Sequence, residues 1–227
     1  MKRQISFGQA LATVVGTVIG GGVFFKIGSI SHETGTPSLT LFVWILAGIV
    51  SIASGLTVSE IAAALPVTGG SIKYIEYTYG KVWGFLFGWA QMLVYFPANI
   101  AALSVVFGQQ FAVLFGFPTK YATLIALLLA LFLMSLNFIS TKFSTRMQSA
   151  MTILKAIPIA LIVIFGLFNP AKISVNLLPL SSGHNVSFWA GLSGGLLAAL
   201  FAYDGWINVT NLAGEVKEPE KNLSRAI

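Results

Sequence analysis

Cysteine is absent from the 227 residues, which rules out disulfides and thiolate metal sites. Histidine is nearly absent: His32 and His184 are the only two, both in polar connecting stretches, so no histidine cluster can bind a metal or act as a base. Charge is scarce as well. Asp, Glu, Lys and Arg make up 9% of the chain and hydrophobic residues 56%, whereas a soluble domain is about a quarter charged. So little charge cannot cover a water-facing surface, and lipid is the environment that accepts the remainder. The net charge of +6 comes from basic residues placed singly in loops, which excludes a nucleic-acid-binding patch. There is no Ser–His–acid set, no phosphate-binding loop and no metal-ligand spacing. The chain is therefore not read as an enzyme, and no cofactor is expected.

What is present is a series of long apolar runs. A spanning helix needs about 20 predominantly apolar residues. Six stretches qualify: Ser6–Ile30, Leu39–Leu65, Trp83–Phe115, Tyr121–Ser140, Ser149–Phe168 and Phe188–Ala213. Lys2 and Arg3 ahead of the first resemble a signal peptide, but the run is too long and lacks a cleavage pattern, so it is read as a retained span. None of the runs alternates as a transmembrane barrel strand would, and backbone groups in lipid must pair internally, so all are predicted to be helices. Turn residues separate them at Thr34–Pro37, Pro66–Gly70, Gly116–Pro118 and Asn169–Pro170. The fold class is thus all-α and polytopic, with one transmembrane domain over residues 1–227. The charged stretch followed by apolar Ala226 and Ile227 suggests a part of a longer protein.

Orientation follows from the distribution of Lys and Arg. With the N-terminus inside, the inner segments hold Lys2, Arg3, Lys73, Lys81, Lys142, Arg146, Lys217, Lys221 and Arg225, and the outer ones Lys26, Lys120 and Lys172. The larger inner set predicts a cytoplasmic N-terminus in a cell membrane. Residues 66–81, with Tyr74, Tyr77 and Tyr79 beside charges, read as a short amphipathic helix on the inner surface.

Two spans contain breaks. In the first, Gly20, Gly21 and Gly22 follow one another in mid-run, each costing roughly 1 kcal/mol against alanine in a helix. Exposed backbone at membrane depth is tolerated only where it lines a cavity or packs on protein. One reading is an unwound segment whose N–H groups bind a carboxylate, aided by the positive end of the next half-helix. The other is a close helix contact of the Gly-xxx-Gly kind through Gly16 and Gly20. In the sixth, Tyr203, Asp204, Gly205 and Asn208 interrupt an apolar run. An ionisable residue inside a span is a functional candidate by default; solvation near an interface is the alternative. Paired glycine-interrupted spans in corresponding positions of two halves mark transporter binding sites.

Four further positions are polar within spans. Lys155 in span five either snorkels to the interface or serves as a fixed cation pinning the broken first span. Gln91, Tyr95 and Asn99 in span three recur at i, i+4 and i+8 beside Pro97. They form either interhelical hydrogen bonds or a polar wall of a substrate path, with Asn99 the deepest.

These motifs together resemble a known family. Residues 16–24, GTVIGGGVF, look like the first-span signature of amino acid permeases of the amino acid–polyamine–organocation superfamily. Residues 201–206, FAYDGW, look like the sixth-span motif of its L-type amino acid transporter branch. Residues 154–158 and 215–223 are similar to that branch's fifth span and charged loop. The resemblance implies a twelve-span protein of two inverted five-span repeats, of which this chain holds the first repeat and the sixth span. It implies a substrate site at Thr17, Ile19, Gly20, Gly21, Gly22, Asn99, Phe201, Ala202, Tyr203 and Asp204. The glycines would take a carboxylate, carbonyls of span six an ammonium, and Phe201 would act as a gate. Lys155 would stand where sodium-coupled relatives hold an ion, which implies sodium-independent exchange. The substrates implied are neutral L-amino acids, with small, hydroxylated or cationic ones favoured where the Asp204 carboxylate faces the side chain. Mammalian members of the branch use a cysteine to join a heavy subunit, and without one no disulfide-linked partner is expected. A polyamine, amine or proton-coupled carrier and a non-transporting receptor are the other readings.

Overall fold

A computed structural model describes residues 3, 5–139, 141–168, 178, 180–183 and 186–227. The side chains at 137, 139, 141–146, 148 and 149 are not among those described. His184, Lys2, Lys172 and the turn at residues 169–170 lie outside the described residues. The described chain is helical and provides six stretches long and apolar enough to cross a membrane: Phe7–Thr34, Pro37–Ala64, Lys81–Phe115, Thr119–Leu136, Ala150–Phe168 and Phe188–Glu215. The chain is thus an all-α polytopic membrane protein with its first and last spans interrupted.

The first compact unit comprises Met1–Tyr74 and Thr152–Ile227. Its opening helix, α1 (Phe7–Val18), starts on a capping box: the Ser6 hydroxyl accepts from the Gln9 N–H, and the Gln9 side chain accepts from the Ser6 N–H. Helix α2 (Gly22–Thr34) ends on Gly35, whose φ of 67° is the left-handed cap that glycine adopts without strain. Thr36 then caps α3 (Pro37–Ala64), and Pro37 occupies its first turn, where a missing N–H costs nothing. After the second span, α4 (Gly70–Tyr79) buries Gly70, Ser71 and Tyr74 and exposes Tyr77 and Tyr79. That is the amphipathic helix expected between spans two and three. Burial pushes the Tyr74 phenol above its ordinary pKa, and a hydrogen bond with Thr210 opposes the shift.

The last span consists of α9 (Phe188–Ala202), a three-residue turn, and a 3-10 helix over Trp206–Glu215. It is followed by the short α10 (Pro219–Ala226). Helix α1 packs along the 3-10 segment and α2 along α9, with α3 touching both halves of the last span. The first and last spans therefore run antiparallel, and their breaks meet. Two apolar clusters hold this arrangement, one on either side of the breaks. Ala10, Val14, Ala62, Val209, Ala213 and Leu223 form one, and Ile30, Leu39, Val43, Ala47 and Ala199 the other. Ile5 closes one end by a parallel bridge to Val216, accepting from the Lys217 N–H and donating to the Glu215 carbonyl.

The second compact unit is Ile75–Met151. Its third span comprises α5 (Lys81–Ala90), a π-helical turn at Gln91–Tyr95, and α6 (Phe96–Phe115). Helix α7 (Ala122–Ile139) follows, then the start of α8 (Thr141–Phe168), whose residues from Thr152 onward belong to the first unit. Ser104, Gly108 and Ala112 are buried at i, i+4 and i+8 on α6. A Cβ on Gly108 would run into the Ala122 carbonyl of α7, so this is the small-residue packing that lets spanning helices approach closely.

Candidate functional site

The glycine triplet opens the first span as its sequence suggests. Helix α1 stops at Val18; Ile19, with φ −74° and ψ 66°, leaves helical geometry. The Gly20 N–H donates to the Val18 carbonyl at 2.7 Å rather than four residues back. Helix α2 restarts at Gly22 with no side-chain cap. Among the described residues, no acceptor takes the N–H groups of Gly21, Gly22 and Val23. These donors lie at the positive end of a 13-residue helix.

The last span breaks opposite them. Asp204 donates its N–H to Phe201 O at 3.3 Å, and Gly205 takes φ 116°, a conformation that favours glycine. Among the described residues, no backbone donor reaches the carbonyls of Ala202 and Tyr203. They stand at the negative end of α9.

Two contacts bring the breaks together. A Cβ on Gly22 would lie 2.7 Å from Ala202 Cα, and one on Gly205 would lie 3.0 Å from the Thr17 carbonyl oxygen. The Thr17 hydroxyl, bonded within its own helix to Thr13 O and Val14 O, also reaches Gly205 O at 3.1 Å. Open N–H groups of one half-helix thus stand near open carbonyls of another, across a contact with room for glycine alone. Donors at a positive helix end facing acceptors at a negative one are the chemistry that suits an anion and a cation held close together.

The remaining residues expected at the site divide between the break and other surroundings. Phe201 is on the last turn of α9, and Asp204 Oδ1 accepts from the Gly205 N–H at 2.8 Å. Tyr203 turns its side chain to α3: its hydroxyl donates to Trp44 O at 3.4 Å, and its ring meets the Trp44 ring edge-on at 5.6 Å. Gly48 leaves room for that hydroxyl. Lys155 Nζ donates to Gly16 O at 3.2 Å. Gly16 itself packs on Thr152, so a close helix contact at Gly16 and an unwound segment at Gly20 coexist. Asn99 belongs to the second unit, where its Nδ2 donates to Tyr95 O at 3.0 Å.

Two features were hidden from the sequence. The first is the π turn. Four residues fall short of a full π turn but overshoot an α turn, so the offsets cancel across Gln91, Tyr95 and Asn99. All three are half-buried while the residues between them are exposed. Pro97, which lacks an N–H, is the available signal. The second is Lys26, counted among the outer-segment lysines by charge alone. It lies in α2, with Nζ 4.7 Å from the centroid of the Phe201 ring. Its spacing of one turn from Gly22 is the signal that places it near the break.

Gly205 carries a direct test of this geometry. Gly205→Ala is expected to strain both φ and the Thr17 contact, at about 1–3 kcal/mol. The full-length protein in detergent should melt several degrees lower, and an unchanged melting temperature would contradict the positive φ.

Comparison with known proteins gives concordant results. The amino acid permease family model matches residues 5–227. The serine/threonine exchanger SteT of Bacillus subtilis is 43% identical over 230 residues, covering 100% of this chain and 51% of the relative. The human large neutral amino acids transporter small subunit 2 is 31% identical over 235 residues, 100% of this chain and 44% of its own length. Human Asc-type amino acid transporter 1 is 29% identical over 245 residues, with 100% and 45% covered. The chain spans about half the length of these relatives.

Proposed function

Because the chain belongs to the amino acid permease family, we propose that it forms one half of a secondary-active carrier that exchanges neutral L-amino acids without sodium. The carrying observation is the meeting of the two breaks at Gly22 and Ala202. An α-amino acid presents a carboxylate and an ammonium on one carbon. The open N–H groups at the start of α2 suit the carboxylate, and the open carbonyls at the end of α9 suit the ammonium. Thr17, Ile19, Gly20, Gly21 and Gly22 would hold the first. Backbone of Phe201, Ala202, Tyr203 and Asp204 would hold the second. The Phe201 ring would cover the substrate. A relative named as a serine/threonine exchanger, at 43% identity, supports exchange and a small side chain.

The same reading puts the protein in the cell membrane with its N-terminus cytoplasmic, in keeping with the charge distribution. These 227 residues carry no cysteine through which a disulfide-linked subunit could attach. Alternating access would rock these half-helices about the fixed contact between the breaks.

The test is counterflow in proteoliposomes holding the full-length protein. Uptake of labelled serine is expected to require unlabelled serine inside and to be unchanged when sodium is replaced by potassium. Uptake into empty vesicles driven by a sodium or proton gradient would discard exchange. Competition by decarboxylated amines as strong as by serine would remove the carboxylate cradle.

A further inference from the structure

The Lys26 ammonium has no part in the reading above, yet it stands inside the broken spans. Lys26 is one turn beyond Gly22 on α2, about 6 Å along the axis. Its Nζ rests 4.7 Å from the centroid of the Phe201 ring. Phe201 precedes Ala202, whose Cα abuts Gly22. The pair therefore bridges the two spans one turn from the point where they touch. Among the described residues no carboxylate pairs with Lys26. The acidic group of the same break, Asp204, has its Oδ1 on the Gly205 N–H. A lysine within a span is costly and normally extends toward water. This one is half-buried and lies on the electron-rich face of an aromatic ring instead. The ring fixes a full positive charge beside the cradle, where low dielectric makes repulsion between like charges strong.

We propose that Lys26 is the charge filter of the substrate site: its ammonium, held over Phe201, excludes amino acids with cationic side chains and admits neutral ones. The inference rests on the carrier reading and narrows its substrate class. A specificity filter of this kind acts by repulsion of the wrong ligand rather than by attraction of the right one. Removing it should therefore change selectivity more than turnover.

Counterflow of labelled serine by the full-length protein, competed by unlabelled arginine or alanine, tests this. In the parent, arginine is expected to compete far more weakly than alanine. Lys26→Gln should improve arginine competition roughly tenfold or more relative to alanine competition. Lys26→Arg should keep the exclusion. Gel filtration and serine binding establish that each variant is folded, and Lys26→Met replaces Lys26→Gln if the latter is not recovered. An arginine-to-alanine ratio that is the same in the parent and in the uncharged variant overturns the filter but leaves the carrier intact. Strong arginine competition in the parent does the same. Absence of serine counterflow from the parent overturns both.

Discussion

Gly22→Val is expected to reduce amino acid counterflow to background while the protein still reaches the membrane. Gly22 is buried, with backbone that any residue can adopt, so the effect comes from contact alone. A Cβ there would meet Ala202 Cα at 2.7 Å, Ala202 Cβ at 3.3 Å and Ala202 O at 3.4 Å. The first neighbour is backbone and cannot swing aside. The two half-helices must part, which carries the N–H groups away from the carbonyls they face. Overpacking of this kind costs about 1–3 kcal/mol, equivalent to roughly five- to 150-fold in affinity. Gly22→Ala should show the lower end of that range, and valine, with two more methyls, more than the upper end. Gly28 on the same helix is the control. A Cβ at Gly28 meets nothing within 4 Å, so Gly28→Ala should transport like the parent and melt no lower. Equal loss at both positions would mean that helix propensity, not the contact between the breaks, sets the outcome.

The architecture was legible because its signals are compositional and local. Six apolar runs give six spans, and the breaks at Gly20–Gly22 and Asp204–Gly205 are marked by three consecutive glycines and by a carboxylate beside a glycine, the latter costly in a lipid-embedded helix. Caps were equally local: Gly35, Thr36 and Pro37 act within three residues of one another. What could not be read depends on distance across the fold. Nothing in the sequence distinguishes Tyr203, which turns to Trp44 on α3, from its neighbours at the break. Nothing pairs Lys26 with Phe201, which lie 175 residues apart (201 − 26). Charge counting put Lys26 in an outer segment because it treats each lysine as a label for a membrane side. The structure gives that lysine a partner instead. The π turn at Gln91–Tyr95 escaped for a different reason. An extra residue in a helix leaves the apolar pattern of its flanks nearly unchanged, so only Pro97 hints at it.

Replacing Lys155 is expected to have the second large effect. In a continuous helix the Gly16 carbonyl would accept from the Gly20 N–H, but that N–H turns to Val18 O. The break therefore leaves a carbonyl at the C-terminal, negative end of α1, where a cation is favoured. Lys155 Nζ occupies that position at 3.2 Å. Thr152, one turn before Lys155 on α8, packs against Gly16 and fixes the distance between the two helices. The lysine thus holds the half-helix end that precedes the glycine break, and we propose that it stands in for a bound cation there. A hydrogen bond to a charged donor contributes about 1.5–3 kcal/mol. Lys155→Met should accordingly lower serine counterflow about ten- to a hundredfold, with most of the loss in substrate affinity, since the cradle is loosened rather than blocked. Lys155→Arg should retain much of the activity. Lys155→Ala removes the cation and leaves space beside the Gly16 carbonyl, so uptake by this variant should become partly dependent on sodium. The measurement is initial counterflow rate against serine concentration, in sodium and in potassium. Parent-like affinity in Lys155→Met would show that Gly16 O needs no cation. A large loss that sodium never relieves would keep Lys155 as the pin but remove its equivalence to an ion.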